Sequence, residues 1–308
     1  MSWDAGEIPD QRGRRAVVTG ANSGIGLETV RELARAGAEV IMACRSVDRG
    51  RTAAGEVHAD VPDAELRVEE LDLASLASIE AFAERFAGEL DLLVNNAGVM
   101  AIPRRETEDG FETQFGVNHL GHFALTGRLL DRLTDDARIV TVSSGLHERG
   151  EMEFADLHGE NGYGPWTAYA QSKLANLLFA YELDRRLAAA GRSVASVGVH
   201  PGYADTNLQF RGPELAGSRL RLAAMRVANA LFAQPAEMGA LPTLYAATAP
   251  DVEGGEYYGP GGLFDMRGPP ERQRSSPASH DREAARRLWR ISTELTGVSY
   301  GLPTPTSE

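Results

Sequence analysis

The stretch Thr19-Gly20-Ala21-Asn22-Ser23-Gly24-Ile25-Gly26 follows an apolar, β-branched run, Arg15-Ala16-Val17-Val18-Thr19. It precedes an amphipathic run from Gly24 to about Ala36, which Gly37 stops. Glycines at this junction permit a tight turn and let a ligand come close to the backbone. In a parallel α/β sheet the junction of first strand and first helix is where N–H groups and the helix dipole face a pyrophosphate. A glycine-rich turn can also be a ligand-free loop. Its position between a strand and a helix, at the first strand of the chain, favours a nucleotide.

The rest of the chain repeats the alternation. Strands are expected at Glu39–Ala43, Ala64–Leu71, Leu90–Val94, Arg138–Val142, Ser193–Val199 and Tyr257–Tyr258. Between them helices are expected at Ser75–Phe86, Phe111–Leu133, Ala168–Ala190 and Ala236–Ala247. In Ser75–Phe86 the residues Leu76, Ile79, Phe82, Ala83 and Phe86 share one face. Continuous apolar strands alternating with helices predict a mainly parallel sheet of about seven strands, covered by helices on both faces. The fold class is therefore α/β, a single doubly wound Rossmann-type domain over residues 1–308, with its core at about 12–260. No repeat or linker divides it. Gly268 to Ser279, rich in Pro, Gly and Ser, is expected as a surface loop before a last helix at about 281–295.

Composition excludes several functions. The charge of −13 disfavours neutralising nucleic-acid phosphates or seeking an anionic membrane. The lone Cys44 leaves no internal disulfide and no cysteine zinc cage. No apolar stretch reaches the length of a membrane span, and the first residues lack the pattern of a signal peptide. The expectation is a cytoplasmic protein acting on a small molecule, and a homo-oligomer is compatible with it. His119, His122, His147 and His158 come from unrelated elements without zinc spacing, so no metal is expected.

With the spacing Thr-Gly-x3-Gly-Ile-Gly the chain resembles the short-chain dehydrogenase/reductase family. Three further motifs follow in the family's order: Asn95-Asn96-Ala97-Gly98, Tyr169-x3-Lys173, and Pro201-Gly202 with Thr206. The resemblance spans about residues 12–260. Val142-Ser143-Ser144 and Gln171-Ser172-Lys173-Leu174-Ala175-Asn176 are most similar to the retinol dehydrogenase and WW-domain oxidoreductase branch. The resemblance implies a cofactor held by Gly20, Asn22, Ser23, Gly24, Ile25, Gly26, Asp72, Leu73, Asn95, Ala97, Gly98, Tyr169, Lys173, Pro201, Gly202 and Thr206. It also implies catalysis by Asn118, Ser144, Tyr169 and Lys173. Asn118 would hold a relay water, and Asp72-Leu73 would hold the adenine. Both Ser143 and Ser144 end the fifth strand, and alternation sends only one into the cleft; matching to the family favours Ser144. A substrate lid is implied at about 203–233, where Met225, Val227, Leu231 and Phe232 are apolar, a pattern that core packing explains equally well.

Two arguments come from the residues themselves. The second strand ends Ala43-Cys44-Arg45-Ser46, without the carboxylate that would bond a ribose 2′-hydroxyl; Arg45 suits a 2′-phosphate instead. NADP(H) is therefore the expected cofactor, with NAD(H) as the alternative. Of the 31 basic residues only Lys173 is a lysine. A chain that uses arginine wherever a surface charge suffices keeps its one ammonium four residues after Tyr169, on the same helical face. There it can stabilise a phenolate and lower the barrier to proton exchange. The expected reaction interconverts an alcohol and a ketone or aldehyde. The alternatives are reduction of a carbon–carbon double bond and a catalytically silent NADP sensor, which would need no acid–base pair.

Overall fold

The computed structural model describes residues 3–202, 235–262 and 265–305. Eight strands form one sheet: β1 (Arg15–Thr19), β2 (Glu39–Cys44), β3 (Leu66–Glu70), β4 (Leu90–Asn95), β5 (Leu133–Val142), β6 (Ala195–Val199), β7 (Tyr257–Pro260) and β8 (Pro270–Arg272). Their spatial order is β3-β2-β1-β4-β5-β6-β7-β8. All pairs are parallel except β7 with β8. The order reverses between β1 and β4, so the carboxyl ends of these strands open a crevice.

Strand alternation explains the two faces. Ala16, Val18, Val40, Met42 and Val94 pack on one side with α1 (Gly24–Arg35), α2 (Val47–Asp60) and the helix Ala236–Thr248. Val17, Ile41, Leu93 and Ile139 pack on the other with α3 (Leu76–Arg85), α4 (Gly121–Leu129), α5 (Pro165–Ala189) and Trp289 of the last helix. Ala236–Thr248 is α6 and Arg282–Thr296 is α7.

Two elements differ from the sequence-based expectation. The segment expected to be a loop at 268–279 contributes β8, which pairs antiparallel with β7 and makes the sheet eight-stranded rather than seven-stranded. Three residues at a sheet edge, two of them exposed and charged, carry no strand pattern. The helix expected over 111–133 is broken. A turn at Thr113–Phe115 passes into a π turn at Gly116–Leu120, α4 follows, and a tight turn at Leu130–Arg132 leads into β5, which begins at Leu133. At Gly121 a Cβ would stand 2.5 Å from the Leu73 carbonyl, so close backbone packing replaces side-chain periodicity there. The implied lid at 203–233, including Thr206, Met225, Val227, Leu231 and Phe232, lies outside the described residues.

Candidate active site

A cleft of about 280 Å³ opens at the carboxyl ends of β1, β2 and β4. Thr19, Gly20, Asn22, Ser23, Gly24, Ile25 and Gly26 form one wall. Gly20 has φ 65°, a left-handed conformation that favours glycine. At Gly26 a Cβ would lie 2.5 Å from both the Asn96 amide nitrogen and the Gly20 carbonyl. The turn is thus closed on itself and on the β4 loop, and α1 starts with its N–H groups at the cleft. This cradle and the cleft beside it fit a dinucleotide.

Thr19 locks the turn to β4. Its hydroxyl oxygen accepts from the Asn96 and Ala97 N–H groups, both at 2.9 Å, while the Asn96 amide donates to the Thr19 carbonyl at 2.7 Å. His122 stands on the other side, 2.9 Å from the same hydroxyl and 3.0 Å from the Asn118 carbonyl. The Asn118 carbonyl can only accept, so the ring donates through Nδ1 and accepts from the Thr19 hydroxyl at Nε2. Burial holds this imidazole down to about 4, with the Lys173 charge adding to the effect, so it stays neutral.

At the far end of the cleft α5 presents Tyr169 and Lys173, both buried. The Lys173 ammonium lies 5.7 Å from the Tyr169 ring centre and donates to the Val142 carbonyl at 3.0 Å. Burial lowers it to about 8. Burial also pushes Tyr169 up to about 12, opposed by a hydrogen bond with the Ser144 side chain. Both serines lie just beyond β5, and Ser144 caps the turn that follows by accepting from Leu146 N at 3.2 Å. Ser143 lines the cleft, but its hydroxyl donates to the Lys173 carbonyl at 2.8 Å, whereas the Ser144 hydroxyl meets Tyr169. Asn118, in the π turn, donates to Val99 O and Ser172 Oγ and accepts from Val99 N, at 2.8 to 3.0 Å. It ties the β4 loop to α5 one residue before Lys173.

Sequence comparison places the chain in a family. The short chain dehydrogenase family model matches residues 14–213. The chain belongs to the short-chain dehydrogenase/reductase family. It is 43% identical over 295 residues to retinol dehydrogenase 12 of Mus musculus, covering 94% of this chain and 88% of that one. It is 44% identical over 303 residues to polyprenol dehydrogenase of the same organism, covering 96% and 87%. Among solved structures it resembles an uncharacterised protein from Mycobacterium paratuberculosis with a TM-score of 0.82 and 43% identity, over 98% of this chain and 100% of that one. Within the family it falls in the retinol dehydrogenase branch and is an oxidoreductase acting on CH–OH groups.

The remaining family positions spread along the cleft. Arg45, Asp72, Leu73, Ala97, Gly98 and Pro201 line it. The Asp72 carboxylate accepts from Ala74 N at 3.0 Å, holding the turn after β3. Asn95 does not reach the cleft: it is fully buried and donates to Thr126 Oγ1 at 3.0 Å. As the last residue of β4 it points to the opposite face from its neighbour, and Asn96 lines the cleft instead. Gly202 is absent from the lining too; its φ of 67° and the Met266 carbonyl 2.5 Å from a would-be Cβ give it a turn-forming place. Sequence reasoning missed Ser46 and Arg49, which line the cleft beside Arg45. Ser46 caps α2 by accepting from Arg49 N, and this capping pattern is the signal that turns Arg49 towards the end of β2.

Proposed function

We propose that this oxidoreductase interconverts an alcohol and an aldehyde or ketone with NADP(H) as cofactor, Tyr169 exchanging the proton. The reading is carried by one observation: the Tyr169 phenol and the Lys173 ammonium stand together at one end of a cleft whose other end is the glycine cradle, with the Ser144 hydroxyl bonded to Tyr169. Bound nicotinamide supplies the hydride for reduction or accepts it in oxidation. The chain's part is to bind, orient and move a proton. Ser144 and Tyr169 present two hydroxyls to the substrate oxygen, which polarises it as charge develops. With its phenol pushed up to about 12, Tyr169 holds its proton at neutral pH and is ready to give it to the oxygen of a carbonyl substrate. Lys173 spends one donor on Val142 and has two more for a ribose hydroxyl and for the developing phenolate. Asn118 holds the π turn against α5 and would serve the proton relay to Lys173.

NADP(H) is favoured over NAD(H) because Arg45 and Arg49 flank the cleft at the end of β2, where the lining residues Ala43, Arg45, Ser46 and Arg49 include no carboxylate. The named activities of the relatives point to an apolar alcohol, such as retinol or a polyprenol, as the substrate class. Tyr169→Phe tests the proposal: it should bind NADPH like the parent and lose reduction of retinal. Unchanged turnover would move the chemistry to another residue. A silent NADP sensor would bind cofactor without turnover in the parent itself.

A further inference from the structure

Two buried histidines outside the acid–base set link the site to the C-terminal segment. His147 lies in the turn after Ser144, with Nδ1 2.7 Å from the Ser144 carbonyl and Nε2 3.0 Å from the Ser276 N–H. His200 follows β6 and precedes Pro201, with Nδ1 3.3 Å from the Gly202 N–H and Nε2 2.7 Å from the Gln273 side-chain oxygen. The Gln273 amide donates to the Pro260 carbonyl at 3.0 Å, which fixes which of its ends faces His200. A backbone N–H can only donate, so each ring must accept on that side and carry its proton on the other. His147 is therefore the Nδ1–H tautomer and His200 the Nε2–H tautomer. Tyr257 of β7 sits between them, edge-on to His147 and stacked on His200 at centroid distances of 5.4 and 5.3 Å. Gly259 is the residue that lets His200 in, since a Cβ there would stand 1.9 Å from its Nε2.

We propose that His147 and His200 are positioning residues for the reaction: each, as one neutral tautomer, ties a loop of the site to residues 273–276. His147 holds the carbonyl of Ser144 and thereby the hydroxyl that meets Tyr169. His200 holds the Gly202 N–H and thereby Pro201 on the cleft. Burial of both rings favours the neutral form, against the nearby carboxylates Glu148 and Asp265. His280 beside His147, and His147 beside His200, add to the burial effect. The β8 region, which no motif marks, thus acts on the geometry of the site from behind.

This inference rests on the proposed roles of Ser144 and Tyr169, so its test reads the rings as well as the rate. In protein labelled with ¹⁵N-histidine, a long-range ¹H–¹⁵N spectrum at pH 7.5 should show His147 protonated at Nδ1 and His200 at Nε2, assigned by loss of each signal in His147→Gln and His200→Gln. Rings that exchange between tautomers as in free imidazole would overturn the proposal. For turnover, His147→Phe keeps a ring but removes both bonds. It should lower kcat for retinal reduction on the order of tenfold while the KM for NADPH stays within about twofold. His147→Gln, whose side-chain oxygen can accept from Ser276, should recover most of the loss. Parent-like kcat in His147→Phe, or no recovery in His147→Gln, would overturn it. The ring spectrum does not depend on which residue gives the proton, so a failed Tyr169 reading leaves it unchanged and active Tyr169→Phe protein reveals that failure separately.

Discussion

Lys173 is buried with no carboxylate partner among the described residues, a costly place for a charge unless the charge has work to do. Its ammonium reaches Val142 and stands over Tyr169, and a planar guanidinium cannot reproduce both contacts. In a protein otherwise supplied with arginine, Lys173→Arg should still lower kcat on the order of a hundredfold. A pH–rate profile under saturating cofactor should also show the alkaline optimum for alcohol oxidation moved upward, since Tyr169 loses well-placed positive charge. Arg45 and Arg49 carry a separate expectation. Arg45→Ala, and more so the double change with Arg49→Ala, should weaken NADPH on the order of tenfold or more and leave NADH nearly unchanged. Paired fluorescence titrations check it, and equal loss for both cofactors would contradict it. The serine pair shows how far residues could be read in advance. Alternation said that Ser143 and Ser144 face opposite ways, but only the bond from Ser143 to the Lys173 carbonyl reveals which of them the fold uses internally.

At the scale of elements, the first βα unit was open to sequence reasoning because its chemistry is local: a glycine turn, a strand before it, a helix after it. Gly26→Ala should cost at least tenfold in NADPH affinity by fluorescence titration, since the new Cβ would meet the immovable Gly20 carbonyl. The π turn at Gly116–Leu120 was not open to it. Hydrophobic periodicity reads straight through Phe111–Leu133, whereas the break depends on Gly121 packing against Leu73 of a distant loop. In the sequence Asn95 and Asn96 read as one motif. Their division of labour, one bonded to Thr126 and the other to Thr19, appears only once β4 has neighbours on both sides. β8 escaped for the same reason: its pairing with β7 joins residues whose own sequence reads as a loop.

Across the whole molecule, the mainly parallel sheet and the two-sided core follow from alternation, whereas the order of the strands does not, and the buried histidines are visible in the sequence only as residues without zinc spacing. His119 and His122 are buried and neutral in the fold, held down to about 3 and about 4 by burial. Between the ordinary histidine value of about 6.5 and those values only the unfolded chain gains protons, so stability is lost as the pH falls. Denaturation at pH 7.5 and pH 5 should differ by a few kcal/mol, roughly 1–2 for each such ring, with the acid sample weaker. Equal stability at the two pH values would mean that the rings are hydrated. The claim that organises the molecule is that hydride and proton are added across a carbonyl at the Ser144–Tyr169 end of the cleft. Its most direct measurement uses NADPH deuterated at the transferring carbon and retinal, which carries both a carbonyl and carbon–carbon double bonds. One deuterium should appear on the carbinol carbon of the product. Deuterium on an alkene carbon, or bound cofactor with no transfer at all, would contradict it.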